Sequence, residues 1–388
     1  MRAMAPPTVP VAIVGFGSIA RSHLSALRAL PVVRPESVIP VVSSIVTERP
    51  EAVRAEAAAL GARVLETVEE ALADVDLQLV DVASRNDRHA AQARAVLDGQ
   101  RALYVEKPIG RTSEEATALA AAALDAERPS QAGLVLRYEP AMVEARALVR
   151  GGAIGEVRHG RTASFHGSYL NPERPMSWRL RDATAGGGAM LDLGVHMIDA
   201  LRFIFGELRL VRASARTIVA SRPVTDGGQD TVDVDDWSWG ELELGNGARV
   251  TVEASRIFLG AEGVPFELYG SGGSLVGNLD EGRVMLRRFD GREAEYRAAA
   301  ALDPYVRAVE ALRPPVRLSL GSFVDLHAAG LHHMLLRTAG NDPAPGLAPT
   351  FADAAAAESL AHAIVGMGRS SQSEAAPSRV SSPRSPHD

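Results

Sequence analysis

Cysteine is absent from the 388 residues. That excludes disulfides, thiolate metal sites, iron–sulfur clusters and a cysteine nucleophile. Lysine is almost absent as well: of 41 basic residues, Lys107 alone is a lysine. The chain therefore uses arginine wherever a cation of either kind will serve. No apolar run approaches the roughly 18–20 residues that a membrane-spanning helix needs. The stretch Met1–Thr8 lacks the apolar segment of a signal peptide, so a cytoplasmic protein with no membrane partner is expected. An excess of positive charge is missing too, and a net charge of −7 argues against a nucleic-acid surface. What is present, 46% hydrophobic and 23% charged residues, is the balance of a soluble chain that buries a core. A small molecule remains as the expected partner.

Val9–Val14 is a short apolar run that ends in Gly15-Phe16-Gly17-Ser18-Ile19-Ala20. After it Ala20, His23, Leu24, Leu27 and Leu30 recur at helical spacing. Strands predicted at Val38–Val46, Val75–Val82 and Ala102–Val105 alternate with helices predicted at Pro50–Leu60, His89–Leu97 and Thr112–Ala126. That alternation predicts an α/β domain over residues 1–133, with a parallel, doubly wound sheet. The pattern then changes. Helices at Pro140–Val149 and Leu191–Phe205 bracket a strand at Gly160–Ser168. After Gly206 the chain is strand-rich: Trp237, Trp239, Leu242 and Leu244 alternate up to the turn Gly245-Asn246-Gly247. Helices return at Pro304–Leu312, Ser322–Leu336 and Phe351–Gly366. Residues 134–369 thus read as an α+β domain with an open, mostly antiparallel sheet. The Ser/Pro/Arg-rich stretch 370–388 reads as a disordered tail.

Three motifs carry chemistry. Gly15-x-Gly17-x-x-Ala20 lies between a strand and a helix. Gly15 permits the tight turn, Gly17 lets backbone approach a pyrophosphate, and Ala20 allows close helix–strand packing. Ser18 and Ile19 open a helix whose N–H groups face the phosphates. A dinucleotide site is the functional reading, and a plain strand–helix turn is the bland one. An NAD site usually has an acid after the second strand, where this chain has Thr47, with Arg49 placed to meet a 2′-phosphate. That favours NADP over NAD, although Glu48 could serve as the acid.

The second motif is Glu106-Lys107-Pro108, directly after a predicted strand. Pro108 restricts Lys107 to an extended backbone, at the carboxyl edge of the sheet where ligands bind. A lysine amine can exchange a proton where a guanidinium cannot. The third is Asp192-x-Gly194-x-His196-x-x-Asp199, after Gly186-Gly187-Gly188. Four residues apart, Asp192 and His196 share a helical face. His196 suits proton exchange with an alcohol, while Asp192 either orients that ring or binds a substrate hydroxyl. The competing readings are a capping acid with a core histidine, or a metal pair. No third ligand is evident for the latter, so no metal is expected. Asp199 reads as a structural partner.

Lesser candidates are Arg137-Tyr138 and Trp178-Arg179, which suit a polyol pocket or ordinary packing. Ser84-Arg85-Asn86, with His89 after them, either touch the nicotinamide half of a cofactor or are structural. The acidic run Asp233, Asp235, Asp236 reads as a solvated approach to a strand.

These residues together resemble the Gfo/Idh/MocA family. Gly-Phe-Gly-Ser-Ile-Ala-Arg-Ser-His is similar to its cofactor loop, Glu106-Lys107-Pro108 to its most specific signature, and Gly-Gly-Gly-Ala-Met-Leu-Asp-Leu-Gly-Val-His to its catalytic segment. The resemblance runs from about Val9 to Gly366. It implies a Rossmann domain, a second α+β domain whose sheet forms a homodimer or homotetramer interface, and hydride transfer between NAD(P) and a secondary alcohol of a sugar or cyclitol. Lys107, Asp192 and His196 fall on the family's catalytic triad, and Glu106 on its cofactor contacts. Where the family often has Thr-Pro before the Asn, this chain has Ser84-Arg85. Two other outcomes share the motif set: a redox-neutral enzyme that recycles its cofactor, and a non-catalytic sensor of cofactor or sugar.

Overall fold

The computed structural model describes residues 5–260, 263–289, 291, 293–295 and 303–374. Six parallel strands form the first sheet: β1 (Thr8–Val14), β2 (Ile39–Val46), β3 (Arg63–Leu65), β4 (Leu79–Val82), β5 (Ala102–Val105) and β6 (Ser130–Ala132), in the order β3-β2-β1-β4-β5-β6. Its central strands β4 and β5 are wholly buried and β1 nearly so, as helices on both sides require. Along β1, Val9, Val11 and Ile13 enter one core cluster while Ala12 and Val14 enter the other. The strand order reverses between β1 and β4, which opens a crevice at the carboxyl ends. Gly15 sits there at φ +85°. A Cβ on it would come within 2.5 Å of Ser84 Cα, so β1 and β4 close together only because that position is glycine.

Two strands, β3 and β6, have three residues each and show no readable period. β4 begins at Leu79 rather than Val75, because Asp74 folds the preceding stretch: its carboxylate accepts from Asp76 N–H at 3.1 Å and its carbonyl from Leu77 N–H at 3.3 Å.

The second sheet has eight strands. Its centre is Val157–Phe165, parallel to Arg249–Ser255 and antiparallel to Pro265–Gly270; every other pairing in it is antiparallel. One face buries Leu242, Val250, Val252, Phe266 and Leu268 in the main core, with the helices Val195–Phe205 and Phe351–Glu374 over it. The other face carries arginine–glutamate pairs, Arg161–Glu267, Arg212–Glu241 and Arg249–Glu243, each at 2.7 Å.

The chain crosses between the two halves more than once. Helix Ser322–Thr338 returns to the first sheet, where Ala328, Leu331, Met334 and Leu335 pack with Val9, Val11 and Leu27. The last helix runs to Glu374, beyond the start of the expected tail. Residues 375–388 of that stretch lie outside the described residues.

Candidate active site

The loop after β5 is fixed from two sides. Glu106 N–H extends the sheet by donating to Val82 O at 2.8 Å. The Lys107–Pro108 peptide bond is cis. Beyond it, Pro108 O accepts from His89 Nδ1 at 2.7 Å, and the carboxyl of Glu358 accepts from Ile109 N–H at 2.7 Å and Gly110 N–H at 3.4 Å. Burial pushes the Glu358 carboxyl up to about 8. Held this way, Lys107 Nζ reaches across to the second half of the molecule. It donates to Asp192 Oδ1 at 2.8 Å and to the Asp192 carbonyl at 2.6 Å.

Asp192 is positioned by an equally specific device. Asp235, fully buried, accepts from Gly188 N–H at 2.8 Å, Met190 N–H at 2.9 Å and Ser238 Oγ–H at 2.7 Å. A Cβ on Gly188 would lie 1.9 Å from Asp235 O. We expect Gly188→Ala to cost about 1–3 kcal/mol through overpacking, read as a lower urea midpoint. Turnover should fall with it, because the displaced backbone leads straight into Asp192.

The segment Met190–Gly194 is a π turn in which Val195 N–H donates to Met190 O, five residues back. A regular α-helix begins only at Val195. The expected four-residue α-helical spacing of Asp192 and His196 therefore crosses a widened turn, of the kind frequent at functional sites.

Lys107, Asp192 and His196 line one cavity of about 430 Å³. Burial raises the Asp192 carboxyl, but Lys107 and Arg256 outweigh it and hold the group below the usual carboxylate range. Burial, helped by Lys107, pulls the His196 imidazole down to about 3. His196 Nδ1 is shielded from solvent and makes no hydrogen bond among the described residues; the ring itself borders the cavity.

Ser18 and Ile19 line the cavity from the first turn after the glycine loop. That turn has no acidic residue and its N-cap makes no side-chain bond. A Cβ at Gly17 would meet nothing within 4 Å. Free N–H groups beside open space suit a pyrophosphate, so these residues fit a dinucleotide. Glu106, Ser84 and Asn86 line the same cavity, as do Trp178 and Arg179, whose guanidinium stacks 4.3 Å from the Trp178 ring. Arg85 pairs instead with Asp87 at 3.1 Å. Gly15 and Ala20 serve packing, Ala20 being fully buried. Thr47 and Arg49 follow β2 outside this cavity, Thr47 Oγ1 accepting from Arg49 N–H at 3.2 Å. Glu48 pairs with Arg88 at 3.1 Å.

Other expectations need correction. Arg137 and Tyr138 are not pocket residues. Arg137 is buried in ion pairs with Asp199 and Asp353. The Tyr138 hydroxyl is buried between Gln131 and His333. His89 borders the cavity, but both its ring nitrogens face backbone carbonyls, of Pro108 and Ser84, so it holds the lysine loop. Asp235 and Asp236 are fully buried rather than solvated. Arg256, which the sequence did not single out, lines the cavity while its Nη2 donates to Asp235 O at 3.1 Å. No local pattern marks it.

Residues 9–133 match the NAD-binding Rossmann-fold oxidoreductase family Gfo/Idh/MocA, and residues 142–276 match that family's C-terminal domain. The chain belongs to the Gfo/Idh/MocA family. This oxidoreductase is 32% identical to levoglucosan dehydrogenase of Pseudarthrobacter phenanthrenivorans over 309 residues, 74% of this chain and 78% of the relative. It is 28% identical to inositol 2-dehydrogenase 2 of Saccharopolyspora erythraea over 290 residues, 74% of this chain and 77% of the relative. Levoglucosan dehydrogenase in complex with NADH and levoglucosan superposes with a TM-score of 0.82 at 27% identity, covering 94% of this chain and 97% of the other.

Proposed function

We propose that this oxidoreductase interconverts a secondary alcohol and its ketone on a sugar, cyclitol or related polyol, working in the cytoplasm. The observation that carries the reading is the meeting of Lys107 and His196, from the two halves of the chain, in one cavity with the first turn of the glycine-loop helix. A bound nicotinamide dinucleotide supplies hydride transfer. In the oxidative direction His196, neutral because burial holds its pKa near 3, takes the hydroxyl proton. Lys107 donates to the same oxygen and stabilises the charge that grows there. Asp192 keeps Nζ aimed through its carboxylate and its carbonyl. Trp178 offers a face for a sugar ring, and Arg179 and Arg256 offer donors to its hydroxyls. The solved relatives that hold levoglucosan or L-sorbose with NADH support a carbohydrate substrate.

The adenosine end favours NADP. Among the described residues no acid pairs with Arg49, and the carboxylate nearest it in sequence, Glu48, is engaged by Arg88. Thr47→Asp should shift the ratio of kcat/KM for NADP+ over NAD+ towards NAD+; a wild-type enzyme faster with NAD+ would overturn this assignment. The chain also pairs with a second copy through the arginine- and glutamate-lined face of the eight-stranded sheet. Light scattering should give the mass of a dimer or tetramer, and a monomer at micromolar concentration would contradict that.

A screen of absorbance at 340 nm with both nucleotides over sugars, inositols and keto-sugars tests the activity. Product formed with no net change in reduced nucleotide would instead mark the redox-neutral cycle. The pH profile offers an independent check. A histidine with an ordinary pKa loses its base form below about 6.5, whereas one near 3 does not. We therefore expect kcat/KM for alcohol oxidation to stay level, with no step from His196, between about pH 5 and 7.

A further inference from the structure

Below the lysine loop three side chains from distant parts of the chain converge. His23 comes from the first helix (Ser18–Val33), Glu106 from the end of β5, and His327 from helix Ser322–Thr338. His23 Nε2 lies 3.1 Å from His327 Nδ1 and 3.3 Å from Glu106 Oε1, and His327 Nδ1 lies 3.5 Å from that same oxygen. All three residues are buried. Glu106 Oε1 makes no well-formed hydrogen bond, although it faces both rings.

The size of this triangle is informative. A tetrahedral ion with nitrogen and oxygen ligands at about 2.0–2.1 Å sets those ligands roughly 3.3–3.4 Å apart. The three observed separations bracket that edge. The outer shell has the corresponding form: His23 Nδ1 faces the Asp81 carboxylate at 2.9 and 3.1 Å. A carboxylate behind a ligating imidazole fixes its orientation and raises its basicity. Asp81 and Glu106 together supply two negative charges to balance a divalent ion. Two imidazoles and one carboxylate suit zinc and its neighbours, whereas magnesium and calcium prefer oxygen alone. Glu106 and His327 also line the cavity that holds Lys107, which leaves an opening for a fourth ligand from that side.

We propose that His23, Glu106 and His327 form a binding site for one zinc-class divalent ion, with its fourth position towards the substrate cavity. The site ties the first helix and β5 to a helix whose His327 lies 304 residues beyond His23 in sequence. It goes beyond the dehydrogenase reading and stands or falls without it, because binding is measured without turnover. The competing occupant of the triangle is a proton on His23, and the experiment separates the two.

The test is titration of the full chain, stripped with a chelator, with Co²⁺, followed by Zn²⁺ competition and elemental analysis. The expected result is one equivalent of Co²⁺ with the intense visible bands of tetrahedral coordination, displaced by one equivalent of Zn²⁺. His327→Ala should abolish the bands, and Asp81→Asn should weaken binding by about 10–100-fold. His327→Asp, which restores an oxygen ligand, should recover part of the uptake. Absence of tetrahedral bands in the wild-type chain would overturn the proposal, and this holds even if His327→Ala fails to fold. Equal Co²⁺ uptake by wild type and a folded His327→Ala would overturn it too.

Discussion

His196→Ala should lower kcat by about 10²–10⁴, the range expected when a positioned acid–base group is removed. The dissociation constant of the nicotinamide nucleotide should stay unchanged, because the phosphate-facing turn at Ser18 and Ile19 is untouched by the substitution. The neighbourhood supports a catalytic role over a packing one. The ring borders the same cavity as Lys107 and Asp192, and burial, helped by Lys107, keeps it in the neutral form that a base needs. Steady-state kinetics beside a nucleotide titration separates the outcomes. Turnover within a few-fold of wild type would remove His196 from the mechanism.

Arg137→Leu should destabilise the protein by about 3–5 kcal/mol, the cost of leaving a buried charge without its partner. The guanidinium, only 4% exposed, is a two-point fork: Nε donates to Asp199 Oδ2 at 2.9 Å and Nη2 to Asp199 Oδ1 at 2.5 Å. Nη2 also lies 3.1 Å from Asp353 Oδ1, and the group packs over Phe203 at 4.9 Å. Three elements of the molecule thus meet at one cation. Replacing both partners, Arg137→Leu with Asp199→Asn, should recover much of the loss, because no buried charge is then stranded in that pair. Urea unfolding measures both. An Arg137 that bound substrate would instead raise KM and leave the unfolding midpoint where it was.

The contrast between Arg137 and Lys107 shows what the sequence can convey. The glycine loop, Glu106-Lys107-Pro108 and the Asp192–His196 stretch were legible because each compresses its chemistry into a few neighbouring residues beside a readable strand or helix. The doubly wound sheet was legible because its apolar runs and amphipathic helices alternate. Arg137 was misread because its residue type suits a sugar as well as a buried carboxylate, and only tertiary structure brings Asp199 and Asp353 to it. Asp235 and Glu358 were missed as positioning residues for a similar reason. Each grips backbone N–H groups far away in sequence, at Gly188 and at Ile109, and no local pattern records such a grip. The π turn was hidden because its residues also satisfy a helical period. The triangle of His23, Glu106 and His327 is the extreme case, since its members sit on three separate elements.

In this mechanism Lys107 and His196 act on one oxygen atom. A crystal structure with nicotinamide dinucleotide and a turned-over sugar bound together tests it most directly. The reacting hydroxyl oxygen should lie within about 3.2 Å of both Lys107 Nζ and a ring nitrogen of His196. A structure in which the two nitrogens contact different oxygens, or in which either faces away from the carbon next to the nicotinamide, would contradict the account.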